Sequence, residues 1–397
     1  MFANNYLLKN NRIPLIESEP NPQCNIRIVI PCYNEPELLQ TLESLKKCSL
    51  PDAVVEVIIL INHAEDAPLE IKNFNMATKT EADRWIQENN GNKLIFFAIS
   101  PVELRKKWAG VGLARKTGLD EAVLRFNHFN NTRGIVVSLD SDSLVEANYL
   151  VEIEKHFKQN PKHVGATIKV EHQKEGLSEK QKQGIELYEK YLHYYKAALQ
   201  FTGYPQAMIT IGSAFAVTAE AYVKRGGMNR RQAGEDFYFL QNLAQLGTVG
   251  EITATRVFPS ARLSNRVPFG TGAAIQKWMA GTDDLTKTYN FQAFADLKTF
   301  FETKERLFQT DEAEYLNLLS GMPESIRQFL LNDNFWSELD DLNKNCSTLK
   351  SFQTRFFHKF NAFKALKFMN FAHEKYYEKV DLETQCQHLI NYNEHKH

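Results

Sequence analysis

Apolar residues follow two rhythms along this chain. Continuous apolar runs at Ile26–Ile30, "VVEVIILIN" (54–62), "KLIFFAIS" (93–100) and Ile135–Ser138 have the length of buried strands. Between them the spacing turns helical. Leu38, Leu39, Leu42 and Leu45 follow the first run, and a long polar segment from Leu69 to Asn90 follows the second. Leu113, Thr117, Ala122 and Leu124 then follow a glycine-rich turn. Strands alternating with helices predict an α/β fold with a doubly wound, mostly parallel sheet. Ligands of such sheets sit beyond the carboxyl ends of the strands, where Asn34, Asn62 and Asp140 fall. Further on, Gly212–Val217 reads as a strand, Glu220–Lys224 as a short helix and Gly226–Gly227 as a turn. A helix carrying Phe239, Leu243 and Leu246 opens at Glu235–Asp236.

The rest of the pattern is helical. Ile185, Tyr188, Leu192, Tyr195 and Leu199 mark a core-packed helix, with Tyr191 and Tyr194 beside the stripe as alternative stacking surfaces for a ligand. From about Asn290 no strand pattern occurs, and Phe352, Phe356, Phe360, Phe363 and Leu366 form one stripe. With Arg355, Lys359, Lys364 and Lys367 on other faces, that region packs as a helical appendage or rests on an anionic membrane surface. The expected organisation is an N-terminal arm (1–24), an α/β domain (25–289, with halves 25–145 and 146–289) and a helical region (290–397).

Composition removes several classes of function. With 43% hydrophobic and 24% charged residues the chain is an ordinary globular protein, and a net charge of −1 gives no general reason to bind nucleic acid. Five dispersed cysteines without CxxC spacing indicate neither a disulfide framework nor a zinc site, and fit a reducing cytoplasm. The N-terminus lacks a signal-peptide pattern, and no apolar run approaches the roughly 20 residues of a spanning helix. A soluble protein is expected, cytoplasmic or at the inner face of the membrane.

Candidate chemistry lies at "LDSDS", where a core strand stops at Asp140 and Asp142. One reading is a helix cap by Asp140 and Ser141, assisted by Glu146. The other is a site for Mg²⁺ or Mn²⁺, since hard oxygen ligands alternating along a chain end hold such ions together with nucleotide phosphates. A second acidic pair, Glu235–Asp236, opens a helix, as caps or as catalytic groups. In order, "VIPCYNE", "GLARKTGLDEA", "LDSDS" and "RGGMNRRQAGEDFYFLQNLAQLG" resemble the family 2 glycosyltransferases of the GT-A type, over roughly Asn25 to Ile252.

The resemblance implies a sugar transfer from a nucleoside-diphosphate sugar to an acceptor hydroxyl, with inversion. Pro31, Tyr33, Asn34, Glu35 and Arg115 would line the nucleotide site. Asp142 and Asp140 would hold the cation that bridges the diphosphate, with Asp140 also towards the ribose, and Asp236 or Glu235 would be the base. A carboxylate at a helix N-terminus is expected to be ionised. Two departures stand out. Ile61 and Asn62 replace an aspartate pair that many members use on base and ribose, which leaves uridine or guanosine open. Residues 256–278 lack both an added metal-binding His and the Gln-x-x-Arg-Trp of processive synthases, so a single transfer is expected. In that segment Arg262 and Arg266 flank a polar turn before Gly270 and Gly272, either as solvated arginines or as a cationic loop closing on the diphosphate. Two other functions compete: a non-catalytic nucleotide-sugar-binding module, and a nucleotidyltransferase. Against the second, "PCYNEPE" has no glycine and no basic residue. The acceptor, whether saccharide, lipid carrier, small molecule or protein, has no readable code.

Overall fold

Each apolar run that opens the chain is a strand: β1 (Cys24–Cys32), β2 (Val54–Ala64), β3 (Leu94–Leu104) and β4 (Ile135–Ser138). The computed structural model describes residues 1–231, 233–263 and 270–394. Four further strands complete a sheet: β5 (Leu144–Val145), β6 (Gly165–Val170), β7 (Phe215–Thr218) and β8 (Val249–Phe258). Among the described residues its order is β3-β2-β1-β4-β7-β6-β8-β5. Neighbours pair in parallel except at β7, which runs against β4 and β6, and at β5, which runs against β8. The sheet is therefore mixed but mostly parallel, and helices flank it, as expected for the α/β, GT-A class.

Contacts divide the chain into two compact units, residues 1–177 with 210–276 and residues 178–209 with 277–397. The first holds the eight-stranded sheet with α1 (Asn4–Lys9), α2 (Leu38–Lys46), α3 (Leu69–Asn89), α4 (Val111–His128) and α5 (Tyr149–Gln159). The second begins with α6 (Glu179–Phe201). Back in the first lie α7 (Ala219–Lys224) and α8 (Glu235–Leu243), and α9 (Thr271–Ala280) passes the boundary. In the first unit the buried core runs through Ile26, Ile28, Ile30, Val55, Val57, Ile59, Val137, Tyr149 and Ile168. Gly118 lets α4 lie close on the sheet, since a Cβ there would come within 2.4 Å of Val29 Cγ1.

The second unit contains α6, α10 (Phe291–Glu302), α11 (Glu312–Ser320), α12 (Glu324–Asn332) and α13 (Phe335–Lys344). It continues with α14 (Leu349–Lys359), α15 (Ala362–Lys375) and α16 (Leu382–Glu394). Contacts thus group α6 with the C-terminal helices, whereas the sequence pattern drew the boundary at residue 290. The Tyr194 hydroxyl donates to the carbonyl of Tyr289 (2.9 Å), and Tyr195 packs against the Phe294 ring. Tyr194 is buried and unavailable for stacking on a sugar.

Two other expectations change here. β9 (Lys287–Thr288) pairs with β10 (Val380–Asp381), and β10 falls in the region from about Asn290 where no strand was expected. The phenylalanine stripe belongs to two helices, because the Asn361 side chain caps α15 by accepting from the Lys364 amide (3.0 Å). Phe352, Phe356 and Phe360 are buried, but the break turns Phe363 outward and puts Ala365, Phe368 and Met369 in the core instead. Lys359 pairs with Asp341 (2.7 Å), Lys364 with Asp333 and Glu338, and Arg355 donates to the Asn345 carbonyl (2.9 Å). No helix among the described residues is long and apolar enough to cross a membrane.

Candidate active site

The strand ends bring the predicted residues together. β1 runs into a turn at Asn34, whose backbone is left-handed (φ 47°), a region that Asn tolerates better than most residues. Asn75 of α3, wholly buried, accepts from the Asn34 amide (3.0 Å) and donates to the Asn62 carbonyl (2.8 Å). The Asn62 side chain in turn donates to the Cys32 carbonyl (2.9 Å). A neutral amide relay thus stands at the ends of β1 and β2, where the resemblance implies an acidic pair, and Ile61 is buried in the sheet. Pro31 lies within β1, opposite Leu60, and Tyr33 is partly exposed beyond it. Asn75 was legible in principle: Asn75, Thr78, Ala82 and Trp85 are the buried positions of α3, at helical spacing.

Asp140 and Asp142 follow the end of β4 at Ser138, and no helix follows directly. The next element is β5, and α5 starts only at Tyr149 after an Asn148 cap, so Asp140 and Ser141 cap nothing. Glu146 pairs with Arg256 instead (2.6 Å). Distant segments hold the turn in place. Thr41 of α2 donates to the Ser141 carbonyl (2.9 Å), and Gln173 donates to the carbonyls of Asp142 (2.9 Å) and Phe258 (2.7 Å).

Arg115, from the first turns of α4, is buried and joins the two acidic motifs. Its guanidinium pairs with Asp140 on one side and Glu235 on the other. Burial works against its charge, but Asp140, Glu235 and Asp236 outweigh that and hold its pKa above the usual value. Space for it comes from Gly212, where a Cβ would stand 2.6–2.9 Å from guanidinium atoms. Ser138 anchors that glycine by donating to its carbonyl (2.7 Å).

Glu235 and Asp236 are the first two residues of α8, after a left-handed Gly234 (φ 69°). Neither occupies the cap position. Glu235 is buried on Arg115, while Asp236 Oδ1 accepts from the Phe237 amide (2.7 Å). Burial, and then the neighbouring Glu235 charge, push the Asp236 carboxyl up to about 7, although Arg115 pulls it down. This differs from a carboxylate kept ionised by a helix dipole: here desolvation wins.

Arg262 leaves β8 and pairs with Glu35 (2.9 Å for Nη1 to Oε1) and with Asp142 (3.0 Å). Glu35 is buried and also accepts from the Glu37 amide (3.0 Å), so it meets this arginine. Gly270 has φ 99°, but Gly272 is inside α9. Arg266 lies outside the described residues.

Asp140 and Asp142 are hard oxygen donors, each paired with an arginine, Arg115 and Arg262 respectively. Asp142 is pushed up to about 6 by burial, then by Asp140, with Arg262 opposing. Among the described residues no group of three or more His, Cys, Asp and Glu is placed to hold a metal ion by itself. One or two carboxylates completed by ligand phosphates is the usual arrangement for Mg²⁺.

The glycosyl transferase family 2 model matches residues 27–226, just over half of the 397-residue chain, and the glycosyl transferase family group 2 model matches residues 135–323. No curated protein matches the sequence. Among solved structures, S. aureus TarS 1-349 in complex with UDP-GlcNAc is similar at 12% identity, covering 84% of this chain and 91% of that one, with a TM-score of 0.42. The same fragment in complex with UDP is similar at 12% identity and the same coverage, with a TM-score of 0.41. S. aureus TarS itself is matched over 83% of this chain and 55% of that one, at 12% identity and a TM-score of 0.38. These likenesses are too loose to carry residue roles across. The family match, together with the meeting of Asp140, Arg115 and Glu235 at the strand ends, leads to one conclusion: the chain belongs to glycosyl transferase family 2 and is a glycosyltransferase.

Proposed function

We propose that this chain moves one sugar from a nucleoside-diphosphate sugar to an acceptor hydroxyl, in a single displacement that inverts the anomeric carbon. The observation that carries the reading is the buried Arg115 between Asp140 and Glu235, beside an Asp236 held near neutrality. A base is most effective when its pKa lies near the working pH. Asp236 takes the proton of the acceptor hydroxyl; the acceptor oxygen then bonds to the anomeric carbon while the bond to the diphosphate breaks, and the electron pair leaves on the diphosphate. Glu235, paired with Arg115, keeps that guanidinium in register.

Asp142 and Asp140 would hold Mn²⁺ or Mg²⁺, which when bound stabilises the charge on the departing diphosphate. Arg262 and Arg266 are assigned to the diphosphate, and Pro31, Tyr33, Asn34 and Asn62 to the nucleoside. Glu35 belongs to this group through Arg262. The acceptor is a hydroxyl of a saccharide, lipid carrier or small molecule. A reducing, cytoplasmic setting is in keeping with five free cysteines, four of them buried.

The test is thermal unfolding with UDP or GDP, with and without Mn²⁺. A ligand at about 100 times its dissociation constant adds ~2.7 kcal/mol to the folded state. Stabilisation by one diphosphate that needs the metal, and is absent in Asp142→Ala, is expected. No stabilisation by either pair would remove the donor reading.

A further inference from the structure

The N-terminal arm lies outside the family match, which begins at residue 27, yet it is built into the sheet-containing unit along the helix that carries Arg115. The amides of Phe2 and Ala3 donate to the side chains of Asn130 and Asn127 (both 2.9 Å). Further along, the Leu15 amide donates to Glu121 (2.9 Å), and Arg125 donates to the Ser18 carbonyl (2.9 Å).

The centre of this attachment is Asp120 of α4, a wholly buried carboxylate. Its Oδ1 accepts from the hydroxyls of Tyr6 (2.6 Å) and Tyr222 (2.7 Å). Its Oδ2 pairs with Arg12 (2.6 Å) and Lys116 (3.1 Å), and Lys116 Nζ also donates to the Tyr6 oxygen (2.7 Å). Tyr222 belongs to α7, which ends in the Gly226–Gly227 turn. Gly227 stands directly against Tyr6: a Cβ there would fall 2.0 Å from the tyrosine oxygen, and its φ of 73° suits glycine.

From that turn the chain proceeds to the acidic pair. Asn229 donates to the Glu235 carbonyl (3.2 Å), and the Arg231 carbonyl rests on Gly112 of α4, where a Cβ would come within 2.0 Å of it. One hydroxyl therefore touches both segments that build the site: α4 with Arg115, and the turn that leads to Glu235 and Asp236. Buried charges are a poor route to stability, because apolar residues of similar volume often hold as well. What this knot supplies is one fixed register: Oδ1 takes both tyrosine hydroxyls, while Oδ2 and the Arg12 Nε face each other as an ion pair outside hydrogen-bond geometry.

We propose that Tyr6, from the arm outside the family match, and its partner Asp120 on α4 are positioning residues of the transferase site, which set Arg115 against the Glu235–Asp236 pair. The proposal rests on the reading of that pair as the catalytic carboxylates. Misplacement of such groups by about 1 Å is enough to cost up to about a hundredfold in rate.

The test compares Tyr6→Phe, which removes only the hydroxyl, with Asn4→Ala, which loosens the arm at its Asn127 contact (2.8 Å) and leaves the knot intact. Amide hydrogen exchange in the full-length protein is read in segments 111–116, 226–231 and 235–239, with 135–138 as reference. Nucleoside diphosphate release from UDP-glucose, UDP-N-acetylglucosamine and GDP-mannose is read well below the melting temperature. Tyr6→Phe is expected to speed exchange in those three segments alone. It should lower turnover by about tenfold or more, with affinity for the nucleoside diphosphate and Mn²⁺ within about threefold of the parent. Asn4→Ala should do neither. Faster exchange confined to residues 1–24, or equal turnover losses in the two variants, would overturn the proposal. If Tyr6→Phe does not fold, Tyr222→Phe removes the other hydroxyl on Asp120 and is held to the same outcomes. If the parent turns over none of these sugars, the exchange measurement decides the positioning by itself, and it is the transferase chemistry that falls.

Discussion

Replacing Asp236 by Asn is expected to make the protein more stable and inactive at once. The Asp236 carboxyl lies at about 7 rather than the usual 3.8, because burial and the adjacent Glu235 disfavour its charged form. The folded chain therefore holds this proton more tightly than the unfolded chain does. The associated stability is fully present below about pH 4, declines as the pH rises towards 7, and is gone above it. At about 1.36 kcal/mol per pH unit, that interval corresponds to a ceiling of ~4 kcal/mol at pH 8. Asn keeps an oxygen for the Phe237 amide and resembles the protonated acid in shape, and the attraction of Arg115 that it gives up is already counted in that ceiling; imperfect fit of the amide group takes part of the rest. A gain of ~1–3 kcal/mol at pH 8 is expected, shrinking as the pH is lowered towards 5. For a unit of this size that is a rise of roughly 2–10 °C in Tm. Urea titrations of parent and variant at pH 5, 6, 7 and 8 measure it. Nucleoside diphosphate release in the presence of acceptor should fall by about 10²–10⁴-fold. A variant that is less stable at pH 8, or whose stability difference ignores pH, would refute the desolvation argument. One that turns over like the parent would remove Asp236 from the chemistry whatever its stability.

Gly212→Ala places a methyl 2.6–2.9 Å from the Arg115 guanidinium, so the arginine must shift. Turnover should fall by about tenfold or more while the protein stays folded, and normal turnover would show that the guanidinium has room to spare. Arg262→Ala removes a cation from Asp142 and Glu35, so Mn²⁺ should bind the nucleotide-free protein about 3–10-fold more tightly by calorimetry. Unchanged affinity would mean that the metal meets other groups. Asn75→Ala removes the side chain that bonds the Asn34 amide and the Asn62 carbonyl, and should cost ~1–3 kcal/mol in urea unfolding. A loss under about 0.5 kcal/mol would show that the amide relay is not needed.

Local regularities made much of this molecule readable from its sequence. The apolar run 135–138 is β4 with the same bounds, the helix drawn over 69–90 is α3 but for one residue, and α8 opens at Glu235 as its flanking pattern indicates. The order of four short motifs was enough to suggest the family. These signals are written in neighbouring residues, because strand and helix periods and turn residues act over a few positions. β6 and β8 escaped that reading. In "GATIKV" and "VGEITATRVF" polar residues interrupt the apolar ones, and both segments are strands by virtue of pairing with each other. The same limit applies to the site. Sequence named Asp140, Arg115, Glu235 and Asp236 as candidates, but described Asp236 as a readily ionised carboxylate and said nothing of the partners of Arg115. Tertiary structure decided that Arg115 is buried between two acids, that Asp236 is pushed towards neutrality, that Glu35 faces Arg262, and that Asn75 and Tyr6 brace the site from distant segments. A side chain's charge state and partners depend on burial and on which remote residues arrive beside it, and neither is a property of its neighbours in sequence.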